Sequence, residues 1–152
     1  ITEMAKVPGA IVGAGTVISS GDLAAALVAG ARFVVSPGIT AALGSAARTS
    51  GVPFLPGVSS ASDIIRAQEM GFNRLKFFPA VAAGGLPMLR ALTAPFRNVR
   101  FCPTGGITLE SAPEWLADPA VACVGGSWIA KRGETDWAAI EARARAAAAL
   151  RG

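Results

Sequence analysis

The sequence contains no histidine and no tyrosine, only two cysteines, and three lysines among its 14 basic residues. Without histidine there is no imidazole base for a serine or cysteine nucleophile, and every histidine-ligated metal site is excluded. Cys102 and Cys123 form neither a CxxC pair nor a zinc-type spacing, and each sits in an apolar run. Both therefore read as buried thiols of a reducing compartment. No apolar stretch approaches the roughly 18 residues that a membrane-crossing helix needs, so no membrane partner is expected. Neither G-x-G-x-x-G nor G-x-x-x-x-G-K-[ST] occurs, which removes the usual mark of a nucleotide-binding, doubly wound sheet.

What remains is an apolar chain of 152 residues, 52% of them hydrophobic and 16% charged, enough for one domain spanning 1–152 with a sizeable core. The net charge of +4 comes from scattered arginines; only Arg143 and Arg145 cluster, on an Ala-rich closing segment. That arrangement suits a solvated helix face and not a stripe that tracks phosphates, so no nucleic-acid partner is expected. The opening ITEMAKVPGA has neither a basic start nor an apolar h-region, and its first residue is Ile, so the true start is expected elsewhere.

Six short apolar runs recur along the chain: AIVGAGTV (10–17), RFVVSPGI (32–39), VPFLPGV (52–58), RLKFFPA (74–80), VRFCPTGGI (99–107) and VACVGGSW (121–128). Between and after them lie SSGDLAAALVAG, TAALGSAARTSG, SASDIIRAQEMG, LPMLRALTAPF, TLESAPEWLAD and WAAIEARARAAAALRG. Several start at Ser, Thr or Asp and end at glycine, as at Gly30, Gly51 and Gly71. Strands without polar alternation, each followed by a helix, imply a parallel sheet covered on both faces. Glycine and proline concentrate at the C-terminal ends of the strands, where the functional loops of a barrel lie. The expected fold is an α/β (β/α)8 TIM barrel of which about six βα units are present. The two remaining units, on the order of 50 residues at this repeat length, are expected before Ile1 or on a separate polypeptide.

Lys76 is the odd residue in this pattern, placed centrally in RLKFFPA. Pointing into an apolar barrel interior, its ammonium is desolvated and its pKa falls, which yields the free amine that forms a Schiff base with a carbonyl. Snorkelling to solvent or pairing with a carboxylate are the alternatives. Two glycine turns end successive strands, PTGGI (103–107) and VGGSW (124–128). Bare backbone at Gly105, Gly106, Gly125 and Gly126, with the Ser127 hydroxyl, fits a phosphate, as after the last strands of many barrels. Tight turns alone would also ask for these glycines. GAGTV and SPG offer Thr16 and the backbone around Pro37 to a small carboxylate, or serve only as capped turns. None of the ten acids lies at a strand end; Asp22, Asp63 and Glu110 fall where a helix first turn would use them. The chain thus shows a nucleophile and no evident general acid/base.

Taken together, GAGTV, SPG, LKFFPA, FCPTGGI and VGGSW resemble the 2-keto-3-deoxy-6-phosphogluconate (KDPG) and 4-hydroxy-2-oxoglutarate aldolase family over essentially the whole chain. The resemblance implies a cytoplasmic, commonly homotrimeric (β/α)8 barrel and a class I aldolase needing no metal or organic cofactor. It implies Lys76 as the imine-forming residue, Thr16 and Pro37 at the pyruvate carboxylate, and Phe78 packed beside the lysine. It further implies Thr104 near the substrate hydroxyls, and Gly105, Gly106, Gly126 and Ser127 at the 6-phosphate. The substrate so implied is a phosphorylated 2-keto sugar acid, split at C3–C4 into pyruvate and glyceraldehyde 3-phosphate. The family's acid/base glutamate lies on an early LEVTLRT-like strand that this sequence does not contain, so a missing N-terminal segment or chain is expected to supply it. Two other readings are a non-catalytic barrel fragment serving as an assembly or binding module, and another phosphate-binding barrel, such as an isomerase, in which Lys76 acts electrostatically.

Overall fold

The computed structural model describes residues 1–150. After a single helical turn, α1 (Thr2–Ala5), which the sequence pattern does not announce, the chain alternates strand and helix. In order these are β1 (Gly13–Ala14), α2 (Ser20–Val28), β2 (Phe33–Val35), α3 (Ala41–Ser50), β3 (Phe54–Leu55) and β4 (Gly57–Val58). They are followed by α4 (Ala61–Glu69), β5 (Arg74–Phe77), α5 (Gly85–Thr93), β6 (Arg100–Pro103), α6 (Ala112–Leu116) and α7 (Trp137–Ala148).

Local chemistry sets most of these boundaries. The Ser19, Thr40 and Ser60 side chains accept from the N–H groups of Asp22, Leu43 and Asp63, opening α2, α3 and α4. At α4 the Asp63 carboxylate also accepts from the Ser60 N–H, closing a capping box. Helix α3 ends on Gly51 in the left-handed region (φ 70°), where a side chain would be strained. Glu110 departs from its expected place: α6 starts only at Ala112, its entry shaped by a Thr108–Ser111 turn, so Glu110 precedes the helix.

All strand pairs are parallel, in two sets, β1-β2-β3 and β4-β5-β6. Pro56 joins them. It separates β3 from β4, yet residues on both sides keep bonding: β3 pairs with β2, β4 pairs with β5, and the Pro56 carbonyl accepts the Lys76 N–H at 2.8 Å. One kinked strand therefore carries the curvature of a barrel wall, at the one residue type that has no N–H to lose. The sixth expected strand is a looser affair. Residues 121–125 touch β6 through two isolated bridges, Phe101↔Val121 and Thr104↔Gly125. The bridged pairs lie three residues apart along β6 and its next residue, Thr104, and four apart on the partner segment, so one extra residue bulges out and the ladder does not close up.

The core lies between this curved sheet and the helices. Leu75, Phe77 and Phe101, all fully buried, face Ile64, Leu89 and Trp115; Val34 and Phe54 meet Leu23, Leu43 and Ala47. Phe72 packs against both clusters and stands edge-to-face with Phe54 at 5.3 Å. With Leu75 and Phe77 turned outward to the helices, pleat alternation turns Lys76 inward. Six βα units thus surround one inner face, the build of a (β/α)8 barrel, with β1 and residues 121–125 each paired on one side only among the described residues.

Gly57 is where the wall leaves no room. A Cβ there would collide with the Pro37 carbonyl, which is backbone and cannot rotate away. Gly57→Ala is expected to cost about 1–3 kcal/mol as overpacking, read as a lower urea midpoint. An unchanged midpoint would contradict the close approach of the 36–38 turn.

Candidate active site

Lys76 sits in the middle of β5 with Gly57 on one side and Cys102 on the other in strand register. Its half-buried side chain brings Nζ to 4.3 Å from the centre of the Phe78 ring. Burial lowers its pKa below the ordinary lysine value, and the neighbouring Cys102 pulls weakly the other way. Among the described residues no carboxylate forms an ion pair with it. Lys76 is thus a half-buried amine that pairs with no carboxylate among the described residues. No group of three His, Cys, Asp or Glu side chains suited to a metal occurs among the described residues.

The other sequence-derived residues gather at the same rim, at the C-terminal ends of the strands. Phe78 and Pro79 follow the end of β5 at Phe77, and the loop after β6 folds back over them. The Ala80 N–H donates to the Thr104 carbonyl at 2.8 Å, and the Val81 N–H to the Gly105 carbonyl at 3.1 Å. Gly105 and Gly106 both adopt positive φ (104° and 81°), and a Cβ on Gly106 would press into Val81. Only glycine meets both demands. Gly125 lies against the Thr104 side chain, leaving no place for a Cβ, and Gly126 lies under the Trp128 ring.

These turns differ in what they offer an anion. Among the described residues the N–H groups of Gly105, Gly106, Gly126 and Ser127 donate to no protein acceptor, whereas that of Gly125 donates to the Pro103 carbonyl at 2.8 Å. Gly125 thus departs from the expectation that it presents its amide. Its part is to let the 121–125 segment approach Thr104.

Thr16 and Pro37 stand across the same rim. Thr16 is exposed and the only non-glycine residue with positive φ among those described, at 57°. A β-branched residue in that region is strained, and such strain collects at functional positions. The Val17 N–H ties this loop to β2 through the Val35 carbonyl at 3.1 Å. Pro37 lies in a turn built by Ser36, whose buried hydroxyl donates to the Gly38 carbonyl at 2.6 Å. A cleft of about 330 Å³ opens here, lined by Pro37, Thr40, Gly57 and Ser59 among others. A larger one, about 490 Å³, lies on the outer side between α3 and α4 around Arg48 and Glu69, away from Lys76.

Two features are not evident from the residue pattern. Ser36 looks like any turn serine, and only its burial identifies it as the piece that shapes the Pro37 turn. The second is the position of the cysteines: Cys102 is half-buried, but Cys123 is exposed, contrary to the expectation of two buried thiols. The bulged, two-bridge attachment of 121–125 explains this, since a regular central strand would have covered it.

Comparison with known proteins gives one consistent result. The family model described as KDPG and KHG aldolase matches residues 1–143. The 2-dehydro-3-deoxy-phosphogluconate aldolase of Zymomonas mobilis is 50% identical over 151 residues, which is 99% of this chain and 73% of the relative. That of Pseudomonas aeruginosa is 48% identical over 139 residues, 90% of this chain and 63% of the relative. A Zymomonas mobilis ZM4 2-keto-3-deoxy-6-phosphogluconate aldolase solved with 3-phosphoglycerate superposes with a TM-score of 0.96 over 99% of this chain and 72% of that one, at 50% identity. A Legionella pneumophila KDPG aldolase, with pyruvate captured as a covalent carbinolamine intermediate, gives 0.81 over 94% of this chain and 68% of that one, at 46% identity.

The lowered Lys76 pKa sets a testable pH dependence. Between its folded value and the ordinary lysine value the unfolded chain binds more protons than the folded one, so this group makes stability rise with pH across that window. Lys76→Met is expected to flatten the rise in unfolding free energy over that alkaline range. A slope identical to that of the unsubstituted chain would show the amine to be solvated.

Proposed function

The chain belongs to the KDPG and KHG aldolase family, whose members are carbon–carbon lyases, and on that premise we propose that Lys76 is the Schiff-base nucleophile in cleavage of 2-keto-3-deoxy-6-phosphogluconate to pyruvate and glyceraldehyde 3-phosphate. The observation that carries the reading is the desolvated amine of Lys76, inward on β5 and without an acidic partner among the described residues. Burial makes this amine less basic than an ordinary lysine, and its free-base form attacks the C2 carbonyl; loss of water gives an iminium, an electron sink for the C3–C4 pair. The aldehyde leaves first, and hydrolysis of the pyruvate imine restores the amine. The Legionella relative's carbinolamine is a species on this route, which supports carrying it to Lys76.

Thr16 and the Pro37 turn hold the pyruvate carboxylate in this reading, Phe78 packs on the lysine stem and Thr104 meets the substrate hydroxyls. The amides of Gly105, Gly106, Gly126 and Ser127, with the Ser127 hydroxyl, take the phosphate; their lack of protein acceptors supports the assignment. The 3-phosphoglycerate held by the Zymomonas relative is a phosphorylated acid of similar size and charge. In this reading the proton transfers are assigned to a carboxylate supplied by a further segment or chain, as the resemblance implies. 4-Hydroxy-2-oxoglutarate, cleaved to pyruvate and glyoxylate, is the second substrate of the reading. A cytoplasmic homotrimer completes it; the half-exposed Val81 and the exposed Ile18 are apolar surface that subunit contact would cover. No helix of the described residues is long and apolar enough to cross a membrane.

Lys76→Ala is expected to abolish KDPG cleavage in an assay coupled to pyruvate, while binding of a phosphorylated acid persists. Retained turnover would overturn the assignment. Ser127→Ala is expected to weaken a phosphorylated 2-keto acid by about 1–3 kcal/mol and to leave pyruvate binding unchanged. Equal weakening of both would move the phosphate elsewhere.

A further inference from the structure

The two cysteines lie on neighbouring segments of the wall, not at random. Cys102 is on β6, in register with Lys76. Cys123 is on the segment bridged to β6 at Phe101↔Val121 and Thr104↔Gly125, so the two bridges bracket both cysteines. Backbones in such contact run about 5 Å apart, within the roughly 4.4–6.8 Å Cα separation that a disulfide spans. The Sγ of Cys102 also lies 3.8 Å from the Thr104 Oγ1, the hydroxyl on the same rim.

We propose that Cys102 and Cys123 form a redox-active dithiol, which hydrogen peroxide oxidises to an intrachain disulfide on the barrel wall beside Lys76, lowering the reactivity of that lysine. The exposed Cys123, as thiolate, attacks one peroxide oxygen. The O–O bond breaks, hydroxide leaves and takes up a proton as water, and Cys123 becomes a sulfenic acid. The Cys102 thiol then attacks the Cys123 sulfur. The S–S bond forms, the S–O bond breaks, and the Cys102 proton leaves with hydroxide as a second water. Two thiols thus give up two electrons and two protons to one peroxide.

The environment assigns the two roles. The Cys102 pKa is pushed up, first by its hydrogen bond with Cys123 and then by burial, so Cys102 rests as a thiol and does not meet the oxidant; it gives up its proton only as it attacks the adjacent sulfenic sulfur. The disulfide proposal rests on the adjacency of the two segments and does not depend on the Schiff-base reading; its effect on Lys76 does. The new bond replaces a thiol directly beside the lysine and ties β6 to the segment that leads into Gly125, Gly126 and Ser127.

Mass spectrometry separates these points. Glu110 and Glu114 lie between the cysteines, so Glu-C digestion puts Cys102 and Cys123 in different fragments. After peroxide treatment the chain is expected to be lighter by about 2 Da, with those fragments linked, the link opened by dithiothreitol, and no link in Cys123→Ser. Sulfinic or sulfonic acid at Cys123 with Cys102 still open to alkylation, or a disulfide between two chains, would overturn the proposal. Pyruvate trapped on Lys76 by borohydride is expected to fall several-fold in the oxidised chain and to recover with dithiothreitol; equal trapping in both forms would overturn the coupling to Lys76. If the reduced chain traps no pyruvate, the Schiff-base reading fails, while the fragment masses still decide the disulfide.

Discussion

A lysine amine turned into the inner wall of a parallel sheet is the constraint around which the rest of this structure is arranged. Lys76 is held by register with Gly57 and Cys102 and by the bond from its own N–H to the Pro56 carbonyl, so it cannot slide without breaking two ladders. Its ammonium loses water there. The Phe78 face returns part of that loss, about 0.5–2 kcal/mol for a partly desolvated cation over a ring, and the remainder appears as reduced basicity. A soluble, fully hydrated lysine would be a weak nucleophile at neutral pH. In the proposed mechanism, the cost of the placement is what frees the amine to attack.

Proline and glycine make that placement possible. Pro56 lets one strand bond to β2 with its first half and to β5 with its second, which bends the sheet around the amine. Gly57 lets the Pro37 turn close against the strand next to Lys76, and Gly105 and Gly106 let the loop after β6 close over Phe78 to Val81. Stability and site are thus not separable at these residues: the same close approaches that pack the rim bring a half-buried amine, a strained threonine and four uncommitted backbone amides to one end of the barrel wall.

Much of this is legible in the residues. The apolar runs mark the strands because each strand is covered on both faces, and Ser19, Thr40, Ser60 and Gly51 mark helix ends because their caps are local. Lys76 stands out as the one lysine of three placed centrally in a strand-like run, and the family resemblance carried by the five short segments agrees with the family model and the half-identical relatives. The residues that escape such a reading are governed by contacts distant in sequence. VACVGGSW has the composition of a strand, yet it holds only two bridges to β6, and that leaves Cys123 exposed. Gly125 reads like its neighbour Gly126, yet its amide is taken by Pro103 from another strand. Ser36 and the left-handed backbone of Thr16 likewise depend on how separate loops meet.

The central claim is that Lys76, and no other amine of the chain, reacts with the substrate carbonyl. Its most direct test is peptide mapping of the protein after incubation with pyruvate and borohydride, with Lys6 and Lys131 as internal controls. The account predicts a stable reduced adduct on the fragment containing Lys76, with the other two lysines unmodified. An adduct distributed over all three, or none on Lys76, would contradict it.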